Sequence, residues 1–155
     1  MTRLSTITAL SLTGALIATL AVAQNDPIMA AVKARQAHMD LNAFNISVLG
    51  GMAQGAIPYD AVAAQAAADN LVTLAAMNQM AYWPIGSDSA SVEGSRAKPE
   101  LWAQMDDVMA DANTLHEAAM AMQAVASGGL EGLQAAIGPL GGACGSCHEE
   151  FRVPQ

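Results

Sequence analysis

Four stretches of this chain carry residues of a buried stripe spaced alternately three and four apart, a period that commits the polypeptide to amphipathic helices. The first runs from about Pro27 to Gly51 through Val32, Gln36, Met39, Ala43, Ile46 and Gly50. The second follows Pro58-Tyr59-Asp60, with Asp60 placed to cap it, and carries Ala67, Leu71, Leu74 and Ala81. The third opens near Pro99-Glu100 and is the most regular, with Leu101, Met105, Val108, Ala112, Leu115, Ala119, Met122 and Ala126. The fourth follows Ser127-Gly128-Gly129 through Leu130, Leu133, Ile137, Leu140, Cys144, Cys147 and Phe151. Composition agrees with the period: of 155 residues 53% are hydrophobic but only 4% aromatic, because alanine and methionine, both good helix formers, supply much of the apolar content. One domain of this length buries a real core. The breaks at 53–58 and 127–129 are short enough to join antiparallel neighbours, and 82–98 is the long connection. An all-α, antiparallel four-helix bundle is the expected fold, preferred to a three-helix domain with one helix packed outside.

Two interruptions of the pattern bear on function. Gln36 is a polar residue on the expected core stripe, where an unpartnered amide costs about 1–3 kcal/mol. Gly138-Pro139-Leu140-Gly141-Gly142 weakens the fourth helix and removes side-chain bulk just before Cys144, so that something large can approach the backbone.

Residues 1–23 read as a cleaved signal peptide, outside the domain at 24–155. Arg3 gives a positive start, Ile7 to Leu20 is apolar, and Ala21-Val22-Ala23 is a small-x-small cleavage pattern. The stretch is short and polar-diluted for a membrane-spanning helix. Cleavage removes Arg3 and no acid, taking the net charge from −8 to −9. The expected location is a bacterial periplasm, where free thiols do not persist. The acidic balance, with no basic cluster, excludes nucleic acid as a partner.

Cys144-Gly145-Ser146-Cys147-His148 is C-x-x-C-H, the attachment signature of one covalent haem c. Positions i, i+3 and i+4 share a helix face, so two thiols can tether one porphyrin while His148 is carried to its iron. Gly145 and Ser146 leave room for the macrocycle. A redox dithiol needs a βαβ context that this helical chain lacks, and a zinc site needs further ligands where only His38 and His116 remain. Asp106-Asp107 suit a helix start, and Glu149 and Glu150 a solvated face.

The motif stands eight residues from the C-terminus, on the last helix. Together with Arg35-Gln36-x-x-Met39, Pro58-Tyr59-Asp60, Lys98-Pro99-Glu100-Leu101-Trp102 and the continuation Glu149-Glu150-Phe151-Arg152, this layout resembles cytochrome c′ and the related class II cytochromes c over essentially the whole mature chain. The resemblance implies that Cys144 and Cys147 hold the haem and that His148 is the proximal axial ligand. It also implies that Arg35 and Gln36 lie along the haem edge near a propionate, that Arg152 sits by the proximal face, and that the loop before Lys98, with Arg96, approaches the haem. It further implies that Met39 faces the distal side. Its thioether either fills space, leaving a five-coordinate iron that transfers electrons and binds NO or CO, or ligates the iron as in low-spin electron carriers of the cytochrome c-556 type. Arg35-Gln36 favours the five-coordinate form. No distal acid–base pair is visible, so an enzyme such as a peroxidase is not expected. Family members commonly form homodimers through the first two helices, and the Ala61–Ala68 run permits close packing. The redox partner is not named by the sequence; the acidic balance points to a cationic partner or none.

Overall fold

The computed structural model describes residues 26–154; the expected leader at residues 1–23 lies outside them. Among the described residues there are four α-helices: α1 (Pro27–Ala53), α2 (Ala61–Ala76), α3 (Met105–Val125) and α4 (Leu130–Phe151). Short 3-10 turns occupy Met80–Tyr82 and Pro99–Ala103 in the connection between α2 and α3. Each helix packs on its sequence neighbours and α4 closes back on α1, which makes the expected bundle.

Local chemistry explains the helix ends. Asp26 Oδ1 accepts from the Ile28 amide at 2.9 Å, and Pro27 begins α1 where a missing N–H costs nothing. Asp60 caps α2 as its sequence position predicts, accepting from the Ala63 amide at 2.8 Å. That helix stops at Ala76, short of the predicted stripe, and Ala81 is exposed in the 3-10 turn. Asn78 is the reason: its Oδ1 accepts from the Met80 amide at 3.0 Å, a local bond that competes with helix continuation. The expected third helix is also divided. Gln104 leaves helical space (φ −122°, ψ 40°), and α3 starts afresh with Asp106 and Asp107 in its first turn. By contrast, α4 runs unbroken through Pro139. At its start Gly129 has φ +133°, which a side chain would strain, and its amide donates to the Tyr59 hydroxyl at 3.0 Å. That hydroxyl donates in turn to the Ala126 carbonyl at 2.8 Å, tying the start of α2 to the α3–α4 connection.

The bundle is closed at one end and open at the other. Leu49, Met52, Leu71, Met122, Leu133 and Leu140 form the closed core, with Ala64, Ala67 and Ala68 bringing α2 close. Toward the other end, Met39 and Ala43 on α1 and Met105 and Ala112 on α3 belong to the predicted stripes yet are exposed.

On α1 the predicted stripe is displaced by one residue. The side packed inward is Val32, Arg35, His38, Asn42, Asn45 and Leu49, whereas Gln36 is exposed and donates its amide to the Gly94 carbonyl at 2.8 Å. Hydrogen bonds explain how a polar stripe is buried. Asn42 and Asn45 donate to the carbonyls of His38 (3.0 Å) and Leu41 (2.8 Å), and Asn70 donates to Asn45 Oδ1 at 3.0 Å. Asn42 Oδ1 alone among buried side-chain atoms of the described residues lacks a partner.

Two outcomes follow for stability. Leu133 is fully buried, so Leu133→Ala should cost about 2–5 kcal/mol in urea denaturation of the holoprotein. Burial pulls the His38 imidazole below its ordinary 6.5, so the folded state resists a proton that the unfolded chain accepts. Its contribution is complete above that value and is lost as pH falls through the folded value. The urea midpoint should therefore drop as pH is lowered from 7 to about 5, and His38→Gln should flatten the drop.

Candidate functional site

One hydrogen bond and one shared groove relate α1 to α4. Gln134 Nε2 donates to the Ala53 carbonyl at 2.9 Å, and Gly50 and Ile46 line one groove with Ile137 and Gly141. The helices are antiparallel, so a further two turns toward the start of α1 correspond to two turns toward the end of α4. This register brings Ala43 level with Cys144 and Met39 level with His148, at the open end of the bundle. On the other flank, Ser146 donates to Asp111 Oδ1 of α3 at 3.2 Å.

Cys144, Cys147 and His148 are all half-buried on the last two turns of α4. Cys147 packs beside Ala97, Leu101 and Phe151, with Trp83, Trp102 and Val108 around them. Trp102 Nε1 donates to the Trp83 carbonyl at 3.0 Å, and the two indoles meet edge to face with centroids 6.5 Å apart. Burial pushes both thiols up, Cys147 to about 11, with Asp111 adding to the effect. Both are therefore neutral thiols at pH 7. Burial, then the positive charges of Arg152 and Arg96, pull the His148 imidazole down. It is neutral at pH 7, with a lone pair to offer a metal.

The residues at this end fit a haem. The donors are two thiols and a neutral imidazole within one helical turn. A Cβ built on Gly138, Gly141, Gly142 or Gly145 meets nothing within 4 Å, so this stretch of α4 offers bare backbone to a flat ligand. Met39, at 38% exposure, and Met105 add apolar surface at the same end. Among the described residues no group of three or more His, Cys, Asp and Glu side chains is arranged to hold a metal ion.

The remaining predicted residues make the following contacts. Arg35 is buried and turned onto the 82–95 loop: Nη1 donates to the Tyr82 carbonyl (3.2 Å) and Ser87 Oγ (2.7 Å), and Nη2 to Ser95 Oγ (2.6 Å) and the Ser87 carbonyl. These bonds use every Nη proton and leave Nε–H for anything else. Gln36 lies outside the buried stripe, on the same side of α1 as Met39. Arg96 donates through Nε and Nη2 to the Val153 carbonyl at 3.3 and 2.8 Å, and Arg152 is exposed. His38 is buried against the Tyr82 ring, centroids 6.0 Å apart, and His116 is half-buried on α3.

Periodicity missed Ser87, Ser95 and Lys98. The Lys98 amide donates to the Phe151 carbonyl at 2.8 Å, while its Nζ donates to the carbonyls of Glu149 (3.1 Å) and Glu150 (2.7 Å). One residue thus satisfies three terminal carbonyls of α4 just beyond His148. The available signal was an arginine beside the stripe of α1 and a single long connection rich in serine to receive it.

A family model described as Cytochrome C' matches residues 30–152. The chain is 42% identical over 147 residues to cytochrome c-554 of Cereibacter sphaeroides, covering 94% of this chain and 96% of that protein. It is 38% identical over 143 residues to cytochrome c′ of the same organism, covering 89% and 96%. The solved structure of cytochrome c′ from Rhodobacter spheriodes superposes with a TM-score of 0.80 at 37% identity, over 83% of this chain and 98% of that one.

Proposed function

Because the chain belongs to the cytochrome c′ family and carries one covalently attached haem c, we propose that it is a periplasmic electron-transfer and gas-binding protein with a five-coordinate iron held by His148. When bound, haem c supplies a one-electron Fe(III)/Fe(II) couple and a sixth position for a small ligand. Cys144 and Cys147 hold the group as thioethers, and His148 offers a neutral imidazole from the same turn. Burial, with Arg152 and Arg96 adding to it, disfavours a proton on that imidazole.

The observation that carries the gas-binding reading is what stands opposite. Counting along the antiparallel helices from the Gln134–Ala53 bond supports a place for Met39 near the level of His148, and the Gln36 amide beside it is engaged by the Gly94 carbonyl. Arg35 spends its Nη protons on the loop and His38 is buried against Tyr82. A crowded, apolar distal side favours NO and CO over O2 and anions, which need a hydrogen bond or a charge. A ferrous variant of the cytochrome c′ of Alcaligenes xylosoxidans, 28% identical with a TM-score of 0.70, has been solved with NO bound.

The second reading is a six-coordinate electron carrier with Met39 sulfur on the iron. It is favoured by the thioether at this position and by 32% identity over 154 residues to cytochrome c-556 of Agrobacterium fabrum. Absorption spectra of the ferrous protein with and without CO separate the two. A broad high-spin spectrum converted by CO is expected; sharp α and β bands unmoved by CO would establish the second reading instead. Met39→Ala should keep the high-spin spectrum and tighten CO binding about tenfold, equivalent to about 1.4 kcal/mol of relieved crowding.

The first two helices also support a homodimer. Leu41 and Phe44, one turn apart on α1, are 54% and 64% exposed, and Val62 on α2 is 81% exposed. A solved cytochrome c′ with 30% identity and a TM-score of 0.75 is described as having ligand-controlled dimer dissociation. Phe44→Glu should shift sedimentation to the monomer without changing the CO spectra; a wild-type protein that sediments as a monomer would contradict the dimer.

A further inference from the structure

The connection between α2 and α3 is fastened at two points, and the fastenings lie next to each other in sequence. At the first, the Arg35 guanidinium, 5% exposed on α1, donates to Tyr82, Ser87 and Ser95 and lies over the Trp83 ring, 5.0 Å from its centroid. Ser95 Oγ also donates to the Ser87 carbonyl at 2.7 Å, so Arg35 and Ser95 close the two ends of the 87–95 segment on one another. Asp88, on the same segment, attracts the guanidinium electrostatically. At the second fastening, one residue on, Arg96 to Lys98 grip the end of α4. The Val153 amide donates to the Arg96 carbonyl at 2.9 Å, the Lys98 amide to the Phe151 carbonyl at 2.8 Å, and Lys98 Nζ to the carbonyls of Glu149 and Glu150. Ala97 and Arg152 form an antiparallel bridge between these bonds.

A terminal helical turn frays unless its last carbonyls find donors. His148 sits on that turn, and the donors for the three carbonyls that follow it all come from Lys98. Lys98 follows, three residues on, from the Ser95 that Arg35 holds.

We propose that Arg35 is a positioning residue for His148: acting through Ser87 and Ser95, it fixes the loop whose next residues clamp the last turn of α4. The proposal rests on His148 being the axial ligand. The planar fork of arginine matches four acceptors at once; lysine, with one ammonium, does not, so the exchange is not conservative here.

The test uses the haem-loaded protein and its Arg35→Lys, Arg35→Gln and Ser95→Ala variants, read in two ways. Hydrogen exchange of the Lys98 and Val153 amides reports the clamp, with Leu71 and Leu133 amides as core references. The iron–imidazole stretching band of the ferrous protein, read by resonance Raman, reports how His148 is held. Exchange at Lys98 and Val153 should quicken at least about tenfold, equivalent to about 1.4 kcal/mol, in both Arg35 variants while the core references stay put, and the band should shift or broaden in step. Ser95→Ala should do the same more weakly and add less in the Arg35→Gln background than alone, because both act on one path. It also keeps the test open should Arg35→Gln fail to fold. Unchanged exchange at Lys98 and Val153 overturns the proposal, and so does quickened exchange with an unmoved band. A band that persists in His148→Gln overturns the axial reading itself, and is told apart because Arg35 is untouched in that variant.

Discussion

Cys144, Cys147 and His148 share a face of α4 only while the last two turns of that helix stay wound, and much of the molecule serves that condition. The sequence around them works against it. Pro139 removes a backbone donor, and Gly138, Gly141, Gly142 and Gly145 each favour the unfolded chain over alanine by about 1 kcal/mol. Stability for this stretch comes from outside the helix. Phe151 is buried with Leu101 and Ala97, and Lys98 covers the final carbonyls. The glycines that weaken the helix are the same residues that leave its backbone bare for a flat ligand, so local instability and cofactor access have one origin.

The division of the bundle into a closed and an open end follows from side-chain size along each helix. Where α1 ends and α4 begins, leucines and methionines interlock and the alanines of α2 allow close approach. Where α1 begins and α4 ends, the predicted stripes hold Ala43 and Ala112 between Met39 and Met105, and glycines flank the α4 stripe. A chain with 4% aromatic residues lacks the bulk to close both ends. In the proposed reading a porphyrin tethered at Cys144 and Cys147 supplies that bulk, which accounts for the thin aromatic content of a domain this size.

Helix count and order were legible because each rests on a local signal, apolar spacing and Asp60 before α2; the candidate haem site on α4 was read from two thiols and an imidazole within five residues. Three features were not legible. The stripe of α1 was misplaced by one residue because periodicity selects apolar side chains, while Arg35, His38, Asn42 and Asn45 are buried by virtue of hydrogen bonds made across space. The early end of α2 turned on one Asn78 side chain competing with a helical amide. Arg35 was read from resemblance as a haem-edge residue; that its Nη donors also meet acceptors in the 82–95 loop, on serines some 50 residues away, only the folded chain shows. Local pattern finds donors and ligands, and long-range hydrogen bonding decides which of them remain free.

The central claim is that one turn of α4 both tethers the haem and ligates its iron. Peptide mass spectrometry of the purified, oxidised protein tests the tether most directly. The account predicts a single peptide containing Cys144 and Cys147 that carries the mass of one haem, with neither thiol open to alkylation after denaturation. Recovery of that peptide with free thiols, or with a disulfide between them, would contradict it.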